Sequence, residues 1–236
     1  MGKGAGVILS LLRLPGHSNI PAGIAGSWDM PDWSFEIAAG LHDGQIICGV
    51  DEVGRGPLAG PVLACAAILD PARVPKNLQQ RLDDSKKLNA QIRAEIAEAL
   101  REIVVFAIAE ASVAEIDEFN ILRASHLAMR RAVAALVQIP THALVDGNMA
   151  PGLACQTTCV IQGDGKSLSI AAASILAKVE RDKIMSQLAL THTVYGWERN
   201  AGYGTAHHLS AIKSHGITPH HRRSFRPVSE NIPITD

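Results

Sequence analysis

Three apolar runs of this chain end in carboxylates with glycine close behind: IICGVDE (46–52) ahead of Gly54 and Gly56, HALVDG (142–147), and TTCVIQGD (157–164) ahead of Gly165. One such ending marks an ordinary Asp-Gly turn where a strand leaves the core. Three strand ends of one sheet that converge on a shared edge would instead gather Asp51, Glu52, Asp146 and Asp164, which is costly unless cations neutralise them. The cluster therefore points to metal. Oxygen-only ligands suit hard ions, Mg²⁺ or Mn²⁺, and four carboxylates can hold two divalent ions about 4 Å apart, an arrangement that activates water and stabilises a leaving oxygen in phosphodiester cleavage. Neighbours on a regular strand face opposite ways, so Asp51 and Glu52 can both meet such ions only if the extension breaks between them. Gly54 and Gly56 supply that freedom, and let backbone N–H groups approach a phosphate or sugar.

The surrounding texture is that of a mixed α/β sheet covered by helices. PVLACAAIL (61–69) reads as a second strand forming a hairpin with the first, and VVFAIAEA (104–111) as a third. Asp84-Ser85 offer a cap for a helix running to Ile103, with Ile92, Ile96, Ala99, Leu100 and Ile103 inward. A second helix spans Asn120 to Leu136, with Ile121, Ala128, Met129, Ala132 and Leu136 inward. A third, SLSIAAASILAKVERDKIMSQLAL, has small residues in its first half that permit close approach to the sheet. Residues 1–34, rich in glycine and proline, read as a loose N-terminal extension, with Trp28, Trp33 and Phe35 tacking its end to the body. Residues 35–227 are expected to form the main domain, and 228–236 a C-terminal tail.

Bulk charge carries little information, because a formal net charge of −1 attracts neither nucleic acid nor anionic lipid. A local patch does. Residues 196–226 hold Arg199, Lys213, Arg222, Arg223 and Arg226 against the single acid Glu198. Four cysteines without paired zinc-site spacing suit a reduced, cytoplasmic chain. VILSLLRL (7–14) is too short and too broken for a membrane anchor, so no membrane partner is expected.

In order along the chain, VDEVGRGPLAGPV, DSKKL (84–88), DEFNIL (117–122), VDGN (145–148), GD (163–164), SILAKVERD (174–182), GYGT (202–205) and HHRRSF (220–225) closely resemble the bacterial ribonuclease HII family, over residues 45 to 227. The resemblance implies the ribonuclease-H-like fold: a central five-stranded mixed sheet flanked by helices, with a helical C-terminal part. It implies that Asp51, Glu52, Asp146 and Asp164 are both the metal-binding and the catalytic acids. The implied activity is cutting the RNA strand of RNA–DNA hybrids and nicking duplex DNA 5′ to an embedded ribonucleotide, leaving 3′-hydroxyl and 5′-phosphate ends, by a monomer. Gly54, Arg55 and Gly56 match the family's loop that reads the 2′-hydroxyl, and Tyr203 its sugar-stacking tyrosine. Lys86, Arg222 and Arg223 fall in matched motifs as substrate-binding cations, and Lys87, Lys178 and Arg181 as further candidates for the substrate groove.

The chain departs from the pattern at Gln162 and Gly165 around the fourth acid, and at Asn200-Ala201 before the tyrosine. Those changes bear on substrate affinity more than on chemistry. Histidine ordinarily titrates near neutrality, but with metal-activated water available His220 and His221 are expected to serve structure or phosphate contact; Ser174 and Ser224 are expected to be hydrogen-bonding scaffold and not nucleophiles. Trp197 is expected to pack in the core. Two other readings remain open: a protein that grips hybrids without cutting, and the sister ribonuclease HIII type, whose extra N-terminal domain finds little room in the 45 residues ahead of Ile46.

Overall fold

The computed structural model describes residues 30–231. Its elements, in order, are α1 (Ser34–Ala38), β1 (Ile47–Val53), β2 (Val62–Ile68), α2 (Lys76–Gln79), α3 (Ala90–Ile103), β3 (Val105–Ala111), α4 (Val113–Phe119), α5 (Ile121–Ala134), β4 (His142–Asp146), β5 (Gln156–Val160), α6 (Leu168–Thr191), α7 (Trp197–Asn200), α8 (Ala206–His215) and α9 (Arg226–Ser229). The strands form one sheet in the order β3-β2-β1-β4-β5. β1 pairs antiparallel with β2, and β2 with β3, whereas β1–β4 and β4–β5 are parallel. This is the ribonuclease-H-like mixed sheet, with helices on both faces and a helical C-terminal region.

Side-chain alternation sorts β1 and β2 between two cores. Cys48, Val50, Ala64 and Ala66 face α5, packing on Ala124, Ala128, Met129 and Ala132. Cys65 and Ala67 face α3 and α6, against Ile96, Leu100, Ala172 and Leu176. Gly49 lies on that second face, and a β-carbon there would stand 2.1 Å from the Ser169 carbonyl carbon. The small-residue half of α6 thus rests directly on the central strand. A third core, with Leu58, Met185, Tyr195, Trp197 and Ile212, joins the C-terminal helices to the β1–β2 link, residues 54–61.

Several boundaries differ from the sequence reading. Asp84-Ser85 do not cap α3; Asn89 does, accepting from the Ile92 N–H at 2.9 Å, and 85–88 form a turn. The Arg93 guanidinium holds that turn by donating to the Ser85 and Leu88 carbonyls. It thereby takes an inward position that periodicity had given to Ile92 and Ala99, both exposed. β5 stops at Val160, and Asp164 sits four residues later on a 3₁₀ turn, Gly163–Gly165. α4 was not foreseen, although Ser112 and Glu115 form a capping box at its start. Trp33 donates from its indole N–H to Gln79 at 3.1 Å and Phe35 is buried, while Trp28 lies outside the described residues. Among the described residues no helix is long and apolar enough to cross a membrane.

Candidate active site

β1 and β4 run side by side, and their ladder stops at Val50 and Val145. One residue further on, Asp51 and Asp146 occupy equivalent positions on the α6 side of the sheet. Asp146 is tied to the turn that carries the third acid, since the Gly163 N–H donates to its Oδ1 at 2.7 Å. Asp51, Asp146 and Asp164 thereby offer one carboxylate oxygen each within 4.8 Å of one another. No strand break was needed for this, contrary to the sequence expectation: β1 continues through Val53, with Glu52 opposite Ala64. Glu52 lies outside the close cluster of three but lines the same hollow as Asp51 and Asp146, and the Arg55 guanidinium meets it at 3.2 Å. It stays close enough to raise both Asp51 and Asp146 by repulsion.

All three clustered aspartates are held above the ordinary carboxylate value. For each the leading cause is burial, followed for Asp51 by Glu52 and Asp146, and for Asp164 by Asp146. Backbone N–H groups of Gly163 and Gly147 work against the rise at Asp146. Lys86 stands at the rim, 3.5 Å from Asp164 and 3.7 Å from Asp84. Desolvation pulls its ammonium down, but Asp84 and Asp164 outweigh that and hold it above its usual value. One exposed lysine leaves most of the negative charge unanswered, and crowded oxygen donors of this kind fit hard divalent cations. Asp84, taken from sequence for a helix cap, is a further acid of this rim; its place in DSKKL beside Lys86 was the available signal.

Two adjoining hollows, of about 510 and 400 Å³, share Asp146 and Lys86, so the acids lie along a groove. The larger is walled by Gly54, Arg55, Gly56 and Tyr203. Gly54 adopts φ +96°, and a β-carbon there would stand 2.2 Å from Arg181 Nε, so only glycine fits. At Gly56 a β-carbon would sit 3.4 Å from Tyr203 Cε1, which puts the half-exposed ring beside the turn.

Comparison with known proteins gives the family. The family model described as ribonuclease HII matches residues 48–228. The chain belongs to the ribonuclease HII family. It is 60% identical over 201 residues to the ribonuclease HII of Paramagnetospirillum magneticum, covering 85% of this chain and 98% of that protein. The crystal structure of ribonuclease H2 from Pyrococcus horikoshii superposes with a TM-score of 0.66 at 26% identity, covering 78% of this chain and 95% of that one. A crystal structure of Bst-RNase HIII in complex with Mn²⁺ shares the fold, with TM-score 0.65 and 20% identity over 82% of this chain and 72% of that one. As a member of the ribonuclease HII family, the chain is an RNase H-type endonuclease.

Not every residue singled out from sequence lies in the groove. Arg222 does not: it is fully buried, and its guanidinium donates to the carbonyls of Gly54, Arg55, Gly60 and Pro61. With four of its five N–H groups engaged by carbonyls and no exposed surface it has nothing to offer a phosphate. Arg181 is buried in the same way, whereas Lys178 does line the larger hollow, paired with Asp182 at 2.6 Å. Arg223 is exposed, on a segment anchored by the Asp117 carboxylate, which accepts from the Arg223 and Ser224 N–H groups at 3.0 and 2.9 Å. Trp197 is core, donating its indole N–H to His208 Nε2 at 3.1 Å. His221 is buried beside it and accepts from the Thr218 N–H at 2.9 Å, a structural use. Asn200, at a departure from the family pattern, braces the tyrosine segment. It donates to the Tyr195 carbonyl at 2.7 Å and accepts from the Gly202 N–H at 2.8 Å.

Proposed function

We propose that this endonuclease cuts the RNA strand of RNA–DNA hybrids and nicks duplex DNA on the 5′ side of an embedded ribonucleotide, leaving 3′-hydroxyl and 5′-phosphate ends. The observation that carries the reading is the meeting of Asp51, Asp146 and Asp164 within 4.8 Å beside the Gly54–Gly56 turn and Tyr203. Asp51, Asp146 and Asp164, joined by Glu52 once it releases Arg55, would hold Mn²⁺ or Mg²⁺; such ions supply a nucleophile at neutral pH and charge stabilisation at phosphorus. The 2′-hydroxyl is the group that separates ribose from deoxyribose, and it both donates and accepts. Backbone N–H groups of the glycine turn suit it as donors, and the Tyr203 ring suits a flat contact with the adjoining sugar. Lys86, at the rim of the groove, and the exposed Arg223 suit contact with phosphates as cations.

A monomer acting in the cytoplasm, in removal of ribonucleotides from DNA, fits a reduced chain with four free thiols. A merely binding role has no support in a site whose acids are all present. The test is an end-labelled DNA duplex with one ribonucleotide, incubated with the protein and Mn²⁺ or Mg²⁺. A single nick 5′ to the ribonucleotide is expected, and absence of a nick with either ion overturns the reading.

A further inference from the structure

Under the Gly54–Gly56 turn lie two buried guanidiniums with no carboxylate at ion-pair distance among the described residues. Arg222 donates from Nε to the Gly60 carbonyl at 3.0 Å, from Nη1 to Arg55 at 2.9 Å, and from Nη2 to Gly54 and Pro61. Arg181, one layer down on α6, donates from Nε to Pro61 at 3.1 Å, from Nη2 to Ala59 at 3.1 Å and from Nη1 to Ala201 at 2.9 Å. Both side chains are 0% exposed. Taking two like charges out of water without a counter-ion is costly. What it achieves here is the orientation of six backbone carbonyls.

That orientation has a geometric corollary. A trans peptide points its C=O and N–H in opposite directions, and the chain has no cis bond among the described residues. With the carbonyls of Gly54 and Arg55 drawn inward to Arg222, the N–H groups of Arg55 and Gly56 are turned outward. Neither donates a hydrogen bond within the described residues. Arg181 does the corresponding work for the facing wall: it pins the Ala201 carbonyl, at a residue held at φ +46°, two positions before Tyr203. The Leu58 N–H donates to the Gly202 carbonyl at 2.8 Å and closes the link between the two walls.

We propose that Arg181 and Arg222 are positioning residues that set both walls of the sugar-sensing cleft, aiming the Arg55 and Gly56 N–H groups at the 2′-hydroxyl and holding Tyr203 opposite. Discrimination of ribose from deoxyribose then depends on these two arginines, and ion binding by the acids does not. The proposal rests on the reading of the turn given under Proposed function. Lysine cannot substitute, because one ammonium on a flexible stem cannot reproduce a planar fork that serves four carbonyls from three nitrogens.

The experiment compares wild type, Arg222→Lys and Arg181→Lys on two duplexes that differ at one sugar, ribose or 2′-fluoro-deoxyribose. The fluorine keeps a ribose-like pucker but donates nothing and accepts poorly. For Arg222→Lys, kcat/KM on the ribonucleotide duplex is expected to fall by about 10- to 100-fold, the worth of one or two misaimed hydrogen bonds. The ribose-to-fluoro ratio should fall with it, while the rise in melting temperature on adding Mn²⁺ stays at the wild-type value. Folded variants that keep the wild-type ratio, even if slower, overturn the proposal, because the arginines then only stabilise. Should Arg222→Lys fail to fold at the assay temperature, the ratio for Arg181→Lys decides in the same way. Wild type cutting both duplexes equally would instead overturn the reading of the turn, and the proposal with it.

Discussion

Residues 51–61 run between two buried groups of like charge, three carboxylates at one end and two guanidiniums at the other. Burial displaces the ordinary proton affinity of both, raising the aspartates and drawing Arg181 and Arg222 down to about 10 and about 9. A displaced affinity alone therefore does not tell a site from a scaffold. Hydrogen bonding does. Every guanidinium nitrogen of Arg181 and Arg222 donates to a carbonyl, whereas the acids face a groove with repulsion only partly relieved by Lys86. Charge with unused bonding capacity marks where a ligand belongs, and charge whose capacity is used marks what holds the place in shape.

The contrast is broken most directly by removing charge from each group in turn. On the proposed reading, Asp51→Asn takes a ligand from the divalent ions and should lower the cleavage rate by about 10³-fold or more. It should also raise the melting temperature of the ion-free protein by relieving repulsion, and abolish the gain on adding Mn²⁺. Arg222→Met should do the reverse in kind: it leaves four inward carbonyls without a donor, and chemical denaturation should show a loss of about 3 kcal/mol or more. If Asp51→Asn destabilised the ion-free protein as Arg222→Met does, the two groups would not differ in the way described.

How much of this was legible beforehand follows the reach of each signal. The strands, the three long helices and the four acids stand out because alternation, helical periodicity, small-residue runs and Asp-Gly endings are local. The capping box of α4 was equally local and was passed over. Arg222 was assigned to phosphate because a basic stretch looks alike whether its side chains point outward or inward. Its direction is decided by carbonyls some 160 residues earlier, through hydrogen bonds with Gly60 and Pro61. Glu52 likewise could not be placed without knowing that pairing with β2 persists past the end of the β1–β4 ladder.

A smaller test sharpens the same contrast with groups that titrate near neutrality. His221 Nδ1 accepts from the Thr218 N–H, which leaves the proton on Nε2, 3.1 Å from His208 Nε2. His208 in turn donates from Nδ1 to the Tyr203 carbonyl at 2.9 Å, so its Nε2 can accept from both His221 and Trp197. Both rings must be neutral for this chain of bonds. Burial, with His208 next, pulls His221 from 6.5 down to about 4, and burial lowers His208 as well; His192, His207 and His220 add repulsion nearby. The unfolded chain therefore takes up protons first as pH falls. Stability from this pair is whole above about pH 6.5 and is lost on going toward pH 4. Melting curves between pH 7 and 4.5 should move down by a few degrees, and His221→Gln should flatten that dependence.

The missing side chain at Gly49 decides which acid stands beside Asp146. Sliding β1 by a single position would exchange the faces of Asp51 and Glu52, presenting the longer side chain to Asp146 and turning the shorter one toward α5. Such a slip would also drive Cys48 or Val50 into the Ser169–Ile170 backbone, where even one carbon finds no room. A bare α-carbon pressed on the α6 backbone thus works as a key for the register of the whole acidic cluster.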